Sequence, residues 1–293
     1  MLVAGALCSS LCGGFILDQY GRKPTIIFNA FMFIAGAVVL TAAQSFSVFI
    51  IGRFIVGFSV SLSAVSDCIY ISEIASSSRR GMLVSMNEMG ITLGILLAYL
   101  TNYLLVETPH GWRYMFAISG FPALLQVVGM IFLPESPRWL VSKSREMRAM
   151  DVVNALWPQC DAAQEVEHLK NSVSLESSYR VRDLFGKKEN LHVRMLIGCG
   201  LVFFLQMSGQ PTVLYYAPVL LKNLGYNSDD SATLATVGLG VVKVVFTFIS
   251  LCSVDRYVFL KLFLSWRRIK SFCKFPINYD HAKFLSFFLP FPL

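Results

Sequence analysis

The sequence predicts an all-α membrane protein with about seven transmembrane helices, and three observations lead to this prediction. The 293 residues are 55% hydrophobic and only 15% charged, with a mean hydropathy of +0.59, whereas soluble domains carry about 25% charged residues. The apolar residues fall in blocks of about 20, which is the length that a helix needs to cross about 30 Å of hydrocarbon. Lysine and arginine also collect in alternate loops, as they do on the cytoplasmic side of membrane proteins.

The apolar blocks predict seven spans in order along the chain. They are residues 1–17, 25–43, 49–71, 82–106, 112–133, 195–221 and 232–254. Pro134 ends the fifth span, because proline interrupts helical hydrogen bonding. The polar stretch that follows, 135–194, has helical periodicity at 152–157 and at 165–170, so we predict short amphipathic helices there.

The basic residues orient the spans. Arg22, Lys23, Arg79 and Arg80 lie in the same set of loops as the basic residues of the stretch 135–194, whereas the opposite loops contain almost no lysine or arginine. The first set is therefore predicted to be cytoplasmic. The net charge of +7 is explained by this topology, so no nucleic-acid partner is expected.

Patterns typical of enzymes were not found. The seven cysteines have no paired C-x-x-C spacing, and no P-loop, dinucleotide fingerprint or Ser/His/Asp arrangement occurs. We therefore predict that the protein is not an enzyme and that it needs no cofactor or metal.

Five motifs resemble those of one transporter family. They are G-F-I-L-D-Q-Y-G-R-K at 14–23, G-R-F-I-V-G at 52–57, Y-I-S-E-I-A-S-S-S-R-R-G at 70–81, P-E-S-P-R-W-L at 134–140 and L-Q-M-S-G-Q-P-T-V-L-Y-Y at 205–216. In this order and spacing they resemble the sugar-porter branch of the major facilitator superfamily. The segments N-E-M-G-I-T-L-G-I-L at 87–96 and S-G-Q-P at 208–211 are similar to the class III facilitative glucose transporters.

The resemblance implies a partial major facilitator superfamily fold, in which the seven spans are helices two to eight of twelve. It divides the chain into a first-half bundle lacking helix one (1–133), a cytoplasmic linker (134–194), the start of the second half with helices seven and eight (195–256) and an unmatched tail (257–293). The family's second loop motif begins at Asp255-Arg256 and then breaks off. We therefore expect a truncated chain that transports poorly.

The resemblance also implies a set of substrate-binding residues. Gln206 matches a sugar-binding glutamine, and its carboxamide can both donate to and accept from sugar hydroxyls. Glu88 stands where many family members have a glutamine, and it is expected to bind sugar or, alternatively, to couple transport to protons. Gln210 and Thr212 are further candidates. The alternative for Gln206 and for Glu88 is a structural contact with a neighbouring helix.

Gating roles follow from the same resemblance. Tyr215 and Tyr216 are predicted to help close the outer gate, with interface packing as the alternative. A cytoplasmic charge network that latches the two halves in one state is predicted for Asp18, Arg22, Glu73, Arg80, Glu135 and Arg138. Arg53 and Lys243 are cations inside spans, where an unpaired charge is costly.

The predicted function is facilitative transport of a hexose by alternating access, in the plasma membrane or in intracellular vesicles. The expected partners are the hexose, the lipid bilayer and, in the coupled case, protons. Two alternatives stay open. One is a short isoform or partial gene product that does not transport and associates with the full-length carrier. The other is a different substrate, such as a polyol or an anion, on the same scaffold.

Overall fold

The computed structural model describes residues 1–76, 80–158, 161–177, 191–223 and 229–253. Eleven helices are found in these ranges: α1 (Leu2–Tyr20), α2 (Arg22–Thr41), α3 (Phe46–Ile74), α4 (Arg80–Leu105), α5 (Gly111–Phe132), α6 (Pro137–Ser142), α7 (Glu146–Leu156), α8 (Ala162–Ser177), α9 (Leu191–Met207), α10 (Gln210–Asn223) and α11 (Asp229–Ser253). Seven segments among them are long and apolar enough to cross a membrane. The predicted all-α membrane fold is confirmed.

The helix ends agree with the predicted spans to within a few residues, and local chemistry explains several of them. α3 begins after Ser45, whose hydroxyl accepts a hydrogen bond from the Val48 N–H at 3.5 Å, as serine does at helix N-termini. Gly21, with φ 101°, separates α1 from α2. The sixth predicted span differs, since it contains two helices, α9 and α10, with a break between them.

Close helix packing in the first half depends on small residues. A Cβ atom added at Gly5 of α1 would overlap the backbone of Phe54 in α3, and one added at Gly57 of α3 would overlap the backbone of Leu2. At the α2–α3 contact, Leu40 lies 2.8 Å from the position of a Cβ atom on Gly52. Glycine at such positions lets membrane helices approach closely.

Many large apolar side chains remain exposed on the outside of the helices. On α1 these include Val3, Leu11 and Phe15, each more than 70% exposed. A soluble protein rarely leaves large continuous apolar patches in water. This outer surface is the one expected of helices surrounded by lipid.

The polar stretch that is predicted to be cytoplasmic forms a small helical layer of its own, in which α6, α7 and α8 pack together. Its buried core contains Trp139, Leu140, Ala149, Val153 and Val166. The two helices predicted here are present and are longer than expected, while α6 was not predicted. α6 has six residues, and the first four of them lie inside the motif at 134–140, which was used for family resemblance alone.

α4, one of the five helices of the first half, contacts the second half of the chain. It packs mainly against α11, and less closely against α3 and α5. Gly240 of α11 makes this approach possible, because a Cβ atom there would lie 3.0 Å from the Tyr99 ring and 3.1 Å from Leu96. The α4–α11 contact therefore sets how the two parts of the chain meet.

Candidate functional site

Three of the four candidate substrate residues, Gln206, Gln210 and Thr212, lie along the chain around the point where the sixth span is broken. α9 ends at Met207 and α10 begins at Gln210, with Gly209 at φ 75° between them. Such a positive φ is readily adopted by glycine but rarely by other residues. The backbone turns through hydrogen bonds from the Ser208 N–H to the Phe204 carbonyl at 3.0 Å and from the Gly209 N–H to the Gln206 carbonyl at 3.3 Å. Broken helices of this kind present polar groups at substrate sites in transporters.

The structure places Gln206 and Thr212 on either side of this break. Gln206 lies in the last turn of α9 and Thr212 in the first turn of α10, and both side chains are exposed. The side chain of Gln210 lies outside the described part of the chain. The role of Gln206 as a sugar contact stays a prediction.

Glu88 lies in α4, where its side chain is exposed. Its backbone carbonyl accepts a hydrogen bond from the Thr92 hydroxyl at 2.8 Å. The neighbouring Asn87 donates to the Cys68 sulfur at 3.3 Å and so joins α4 to α3. The contact between helices thus comes from Asn87, and Glu88 stays a candidate for binding sugar or a proton.

The two tyrosines predicted as gate residues lie in α10 beyond the break. Tyr215 is 78% exposed and Tyr216 is 59% exposed. Neither ring is packed into the described part of the protein, and the alternative role in interface packing stays a prediction as well. The gate role itself stays a prediction.

Half of the predicted cytoplasmic charge network is brought together at the inner ends of α1, α2 and α3. One Arg22 nitrogen lies 3.0 Å from the Glu73 carboxylate and another lies 3.2 Å from the Asp18 carboxylate. The Arg22 and Glu73 side chains are only 13% and 6% exposed, whereas Asp18 is 77% exposed. The buried Arg22–Glu73 pair is therefore the strong part of the network, since exposed pairs contribute little.

The other predicted members lie nearer the cytoplasmic helices. Arg80, at the start of α4, interacts electrostatically with Glu165 of α8 and with Arg138 of α6. Glu135 makes no ion pair within the described ranges. The two ion pairs of Arg22 join first-half helices to one another, so a latch between the two halves stays a prediction.

Three residues that the sequence analysis did not single out anchor the cytoplasmic layer to the bundle. The Tyr70 hydroxyl donates to the Pro134 carbonyl at 2.6 Å, and the Ser136 hydroxyl donates to the Glu73 carboxylate at 2.5 Å. The Trp139 indole N–H donates to the Asp18 carbonyl at 3.2 Å, while its ring contacts Gly21. All three residues lie inside the family motifs, which was the available signal.

Asp67 is an intramembrane carboxylate that the sequence analysis also missed. It lies in α3 and accepts hydrogen bonds from the Ser63 hydroxyl at 2.6 Å and from the Gln126 amide of α5 at 3.3 Å. An acidic residue inside an apolar helix is costly unless it is partnered. Glu73 lies near the C-terminal end of the 29-residue helix α3, whereas Asp67 lies further inside it. An acidic residue at that position was the signal that could have identified the site.

The intramembrane cation Arg53 is placed against aromatic rings. Its guanidinium lies 5.2 Å from the centre of the Phe49 ring and 4.8 Å from that of Phe116, which are favourable cation–π distances. Lys243 is half-buried in α11, and its backbone carbonyl accepts from the Thr247 hydroxyl at 2.8 Å.

Comparisons with known proteins agree on the family. A family model described as "Sugar (and other) transporter" matches residues 1–265. Solute carrier family 2, facilitated glucose transporter member 12 from Homo sapiens is 44% identical over 263 residues, which cover 90% of this chain and 42% of that protein. Member 10 from Xenopus laevis is 42% identical over 252 residues, which cover 86% of this chain and 44% of that protein. The predicted likeness to the class III facilitative glucose transporters, which we also expected to include the type 12 member, is confirmed.

Solved structures give the same result. The proton:xylose symporter XylE bound to 6-bromo-6-deoxy-D-glucose aligns with a TM-score of 0.78 and 31% identity, over 87% of this chain and 58% of that chain. A partially occluded inward-open conformation of XylE from E. coli aligns with a TM-score of 0.73 and 29% identity. The match confirms a partial major facilitator superfamily fold. The chain spans about two-fifths of the length of the curated relatives and about three-fifths of the solved transporter.

Proposed function

Because the chain belongs to the sugar (and other) transporter family, we propose that it forms part of a carrier that moves a hexose across a membrane by alternating access. The chain is an integral multi-pass membrane protein of a sugar-transporter fold. The finer proposal, a hexose substrate, is supported by the facilitated glucose transporters named among its relatives and by the glucose derivative bound to XylE. The plasma membrane and intracellular vesicles are both proposed locations.

The observation that carries this proposal is the break between α9 and α10. Gln206 and Thr212 lie on either side of it, inside an otherwise apolar span. A neutral sugar is recognised by side chains that donate and accept hydrogen bonds, and both residues do so. The division into a first-half bundle, a linker and a second half, at residues 133 and 194, is part of the same proposal.

Binding of labelled glucose to the purified chain in lipid nanodiscs tests the proposal without requiring transport. Replacing Gln206 by Ala should weaken binding about tenfold, because a sugar hydrogen bond contributes about 1.4 kcal/mol. The control is Gln164→Ala, which removes an exposed amide from the cytoplasmic α8. Unchanged binding in Gln206→Ala would contradict the assignment, and absence of binding by any sugar would contradict the hexose proposal.

Competition assays separate the substrate classes. Unlabelled glucose should displace the bound label, while inositol, urate and oxidised ascorbate should not. Displacement by one of these three instead would favour the polyol or anion alternative. Co-purification with the full-length carrier tests the remaining alternative, in which the chain associates with that carrier and does not transport.

The role of Glu88 needs a separate experiment, in uptake assays with proteoliposomes. In a sugar-binding role, Glu88→Gln should keep uptake within about threefold, because the carboxamide still accepts hydrogen bonds. In a proton-coupling role, the same change should abolish uptake driven by a pH gradient while leaving exchange of sugar at equal pH. We propose plain sugar binding, so loss of gradient-driven uptake alone would contradict us.

A further inference from the structure

The carbonyl of Leu214 in α10 lacks its normal partner within the helix. In an α-helix the carbonyl of each residue accepts from the N–H four residues later. For Leu214 that residue is Pro218, which lies inside α10 and has no N–H. A backbone carbonyl left unbonded in a membrane protein costs several kcal/mol. Some other donor is therefore needed at this point of α10.

Tyr99 of α4 supplies that donor. Its hydroxyl donates to the Leu214 carbonyl at 2.7 Å, across 115 residues of sequence. Its ring packs against α11, where a Cβ atom on Gly240 would lie only 3.0 Å from it. Tyr99 thus contacts both α10 and α11 from the first half of the chain.

The connection matters because α10 is only loosely held at its start. Two residues join it to α9, and one of them is Gly209 at φ 75°. Because α9 ends before this point, the orientation of α10 also depends on its contacts with other helices. It packs against α11, and the Tyr99 hydroxyl adds a hydrogen bond from α4.

We propose that Tyr99 is a positioning residue that holds α10 against the first half by occupying the carbonyl that Pro218 leaves free. Breaking this one bond loosens α10 from α4, while α10 and the ring of Tyr99 both stay packed on α11. The tyrosine hydroxyl and the proline act as a pair. The proline has no N–H for the Leu214 carbonyl, and the tyrosine hydroxyl donates to that carbonyl instead. A role for this pair in gating the sugar path rests on the proposed function.

Amide hydrogen exchange of the complete chain in lipid nanodiscs, measured without sugar, tests the pair directly. Tyr99→Phe keeps the ring and removes the hydroxyl, and the amides of α10 should then exchange about fivefold faster, as expected for the loss of one hydrogen bond. Exchange in α11 should stay unchanged. Tyr103→Phe, one turn along the same helix, is the matched control and should leave α10 unchanged.

The decisive arm repeats Tyr99→Phe in a Pro218→Ala background. Alanine restores the N–H to the Leu214 carbonyl, so removal of the tyrosine hydroxyl should then change α10 exchange less than about twofold. Pro218→Ser serves the same purpose if the alanine variant does not fold. An equal effect in both backgrounds, or no effect of Tyr99→Phe on α10, would overturn the proposal. Because no sugar is present, either result is independent of the proposed transport function.

Discussion

The inner ends of the first helices and the face where α4 meets the second half are held together in different ways. At the inner ends, Arg22 bonds to Glu73 and Asp18, and Glu73 also accepts from Ser136. At the α4 face, one neutral hydrogen bond from Tyr99 accompanies apolar packing at Gly240. Charge-assisted hydrogen bonds are roughly twice as strong as neutral ones.

This difference shows where the molecule can move at low cost. Separating the inner ends of α1, α2 and α3 exposes a buried ion pair, whereas shifting α4 along α10 and α11 breaks the neutral bond of Tyr99 that is described above and slides apolar surfaces. Movements between packed helices that break few polar contacts are those used in shear motions. We therefore expect the first bundle and its cytoplasmic layer to move as one unit relative to α10 and α11.

The largest expected effect comes from filling the α1–α3 contact. A leucine at Gly5 would collide with the backbone of Phe54, so the two helices would have to separate. Overpacking against a backbone costs about 3 kcal/mol or more, and we expect Gly5→Leu to abolish the monodisperse peak in size-exclusion chromatography. Gly14→Leu on the same helix, where nothing lies within 4 Å, should retain it. Equal behaviour of the two variants would contradict the packing.

The next effect separates the buried ion pair from the exposed one. Glu73→Gln leaves the Arg22 charge without its buried partner, so the free energy of unfolding in detergent should fall by about 3 kcal/mol. Asp18→Asn removes the exposed carboxylate and should cost less than about 1 kcal/mol. Denaturant unfolding measures how much each variant lowers the free energy of unfolding. Similar losses in the two variants would show that the inner ends are held by exposed charges.

A smaller effect is expected at the α4 face. A methyl group at Gly240 would press on the ends of two side chains, Tyr99 and Leu96, which can adjust, so Gly240→Ala should cost about 1 kcal/mol. It should speed hydrogen exchange in α10 and α11 while leaving the first bundle unchanged. Gly238→Ala on the same helix, with nothing within 4 Å, is the control. Exchange that rises throughout the bundle would refute a separate weak contact.

The smallest effect concerns the exposed ion pair between α7 and α8. Lys170 bonds to Glu146 at 2.6 Å on the surface, and this hydrogen bond raises the pKa of the Lys170 ammonium from its usual value of 10.5. Its contribution is therefore present below about pH 10.5 and is lost as the pH rises through the raised value. Lys170→Ala should lower Tm slightly below that pH and not above it, and Lys143→Ala should give no such difference. A loss of Tm equal at both pH values would contradict the pairing.

Several features could be predicted from the sequence because they depend on short stretches of chain. The seven spans follow from apolar length, whereas the orientation inferred from the charges next to each span, as with Arg22 and Lys23, stays a prediction. The helix break at Gly209 was not predicted, although the S-G-Q-P segment was noted as a family motif. The composition of that stretch stays apolar enough for a single span, so hydropathy alone does not reveal a break.

The candidate site was predicted only as far as the motifs reach. Gln206 and Thr212 were selected by resemblance and lie together at the break. Asp67 was missed because its partner Gln126 lies 59 residues away in α5, and no local pattern connects the two. The same reason applies to Trp139, whose indole N–H donates to the carbonyl of Asp18, 121 residues earlier in the chain.

By itself, the sequence determined the class of this protein: an α-helical membrane protein of the sugar-transporter family, with its spans in order. Length, hydropathy and charge are local properties, and they determine for each segment separately whether it can span the bilayer and in which direction. Only the tertiary structure decided that Arg22 pairs with buried Glu73 and that Tyr99 reaches the carbonyl freed by Pro218. Those choices depend on which helices pack side by side, because a hydrogen bond forms only when folding brings donor and acceptor within about 3 Å.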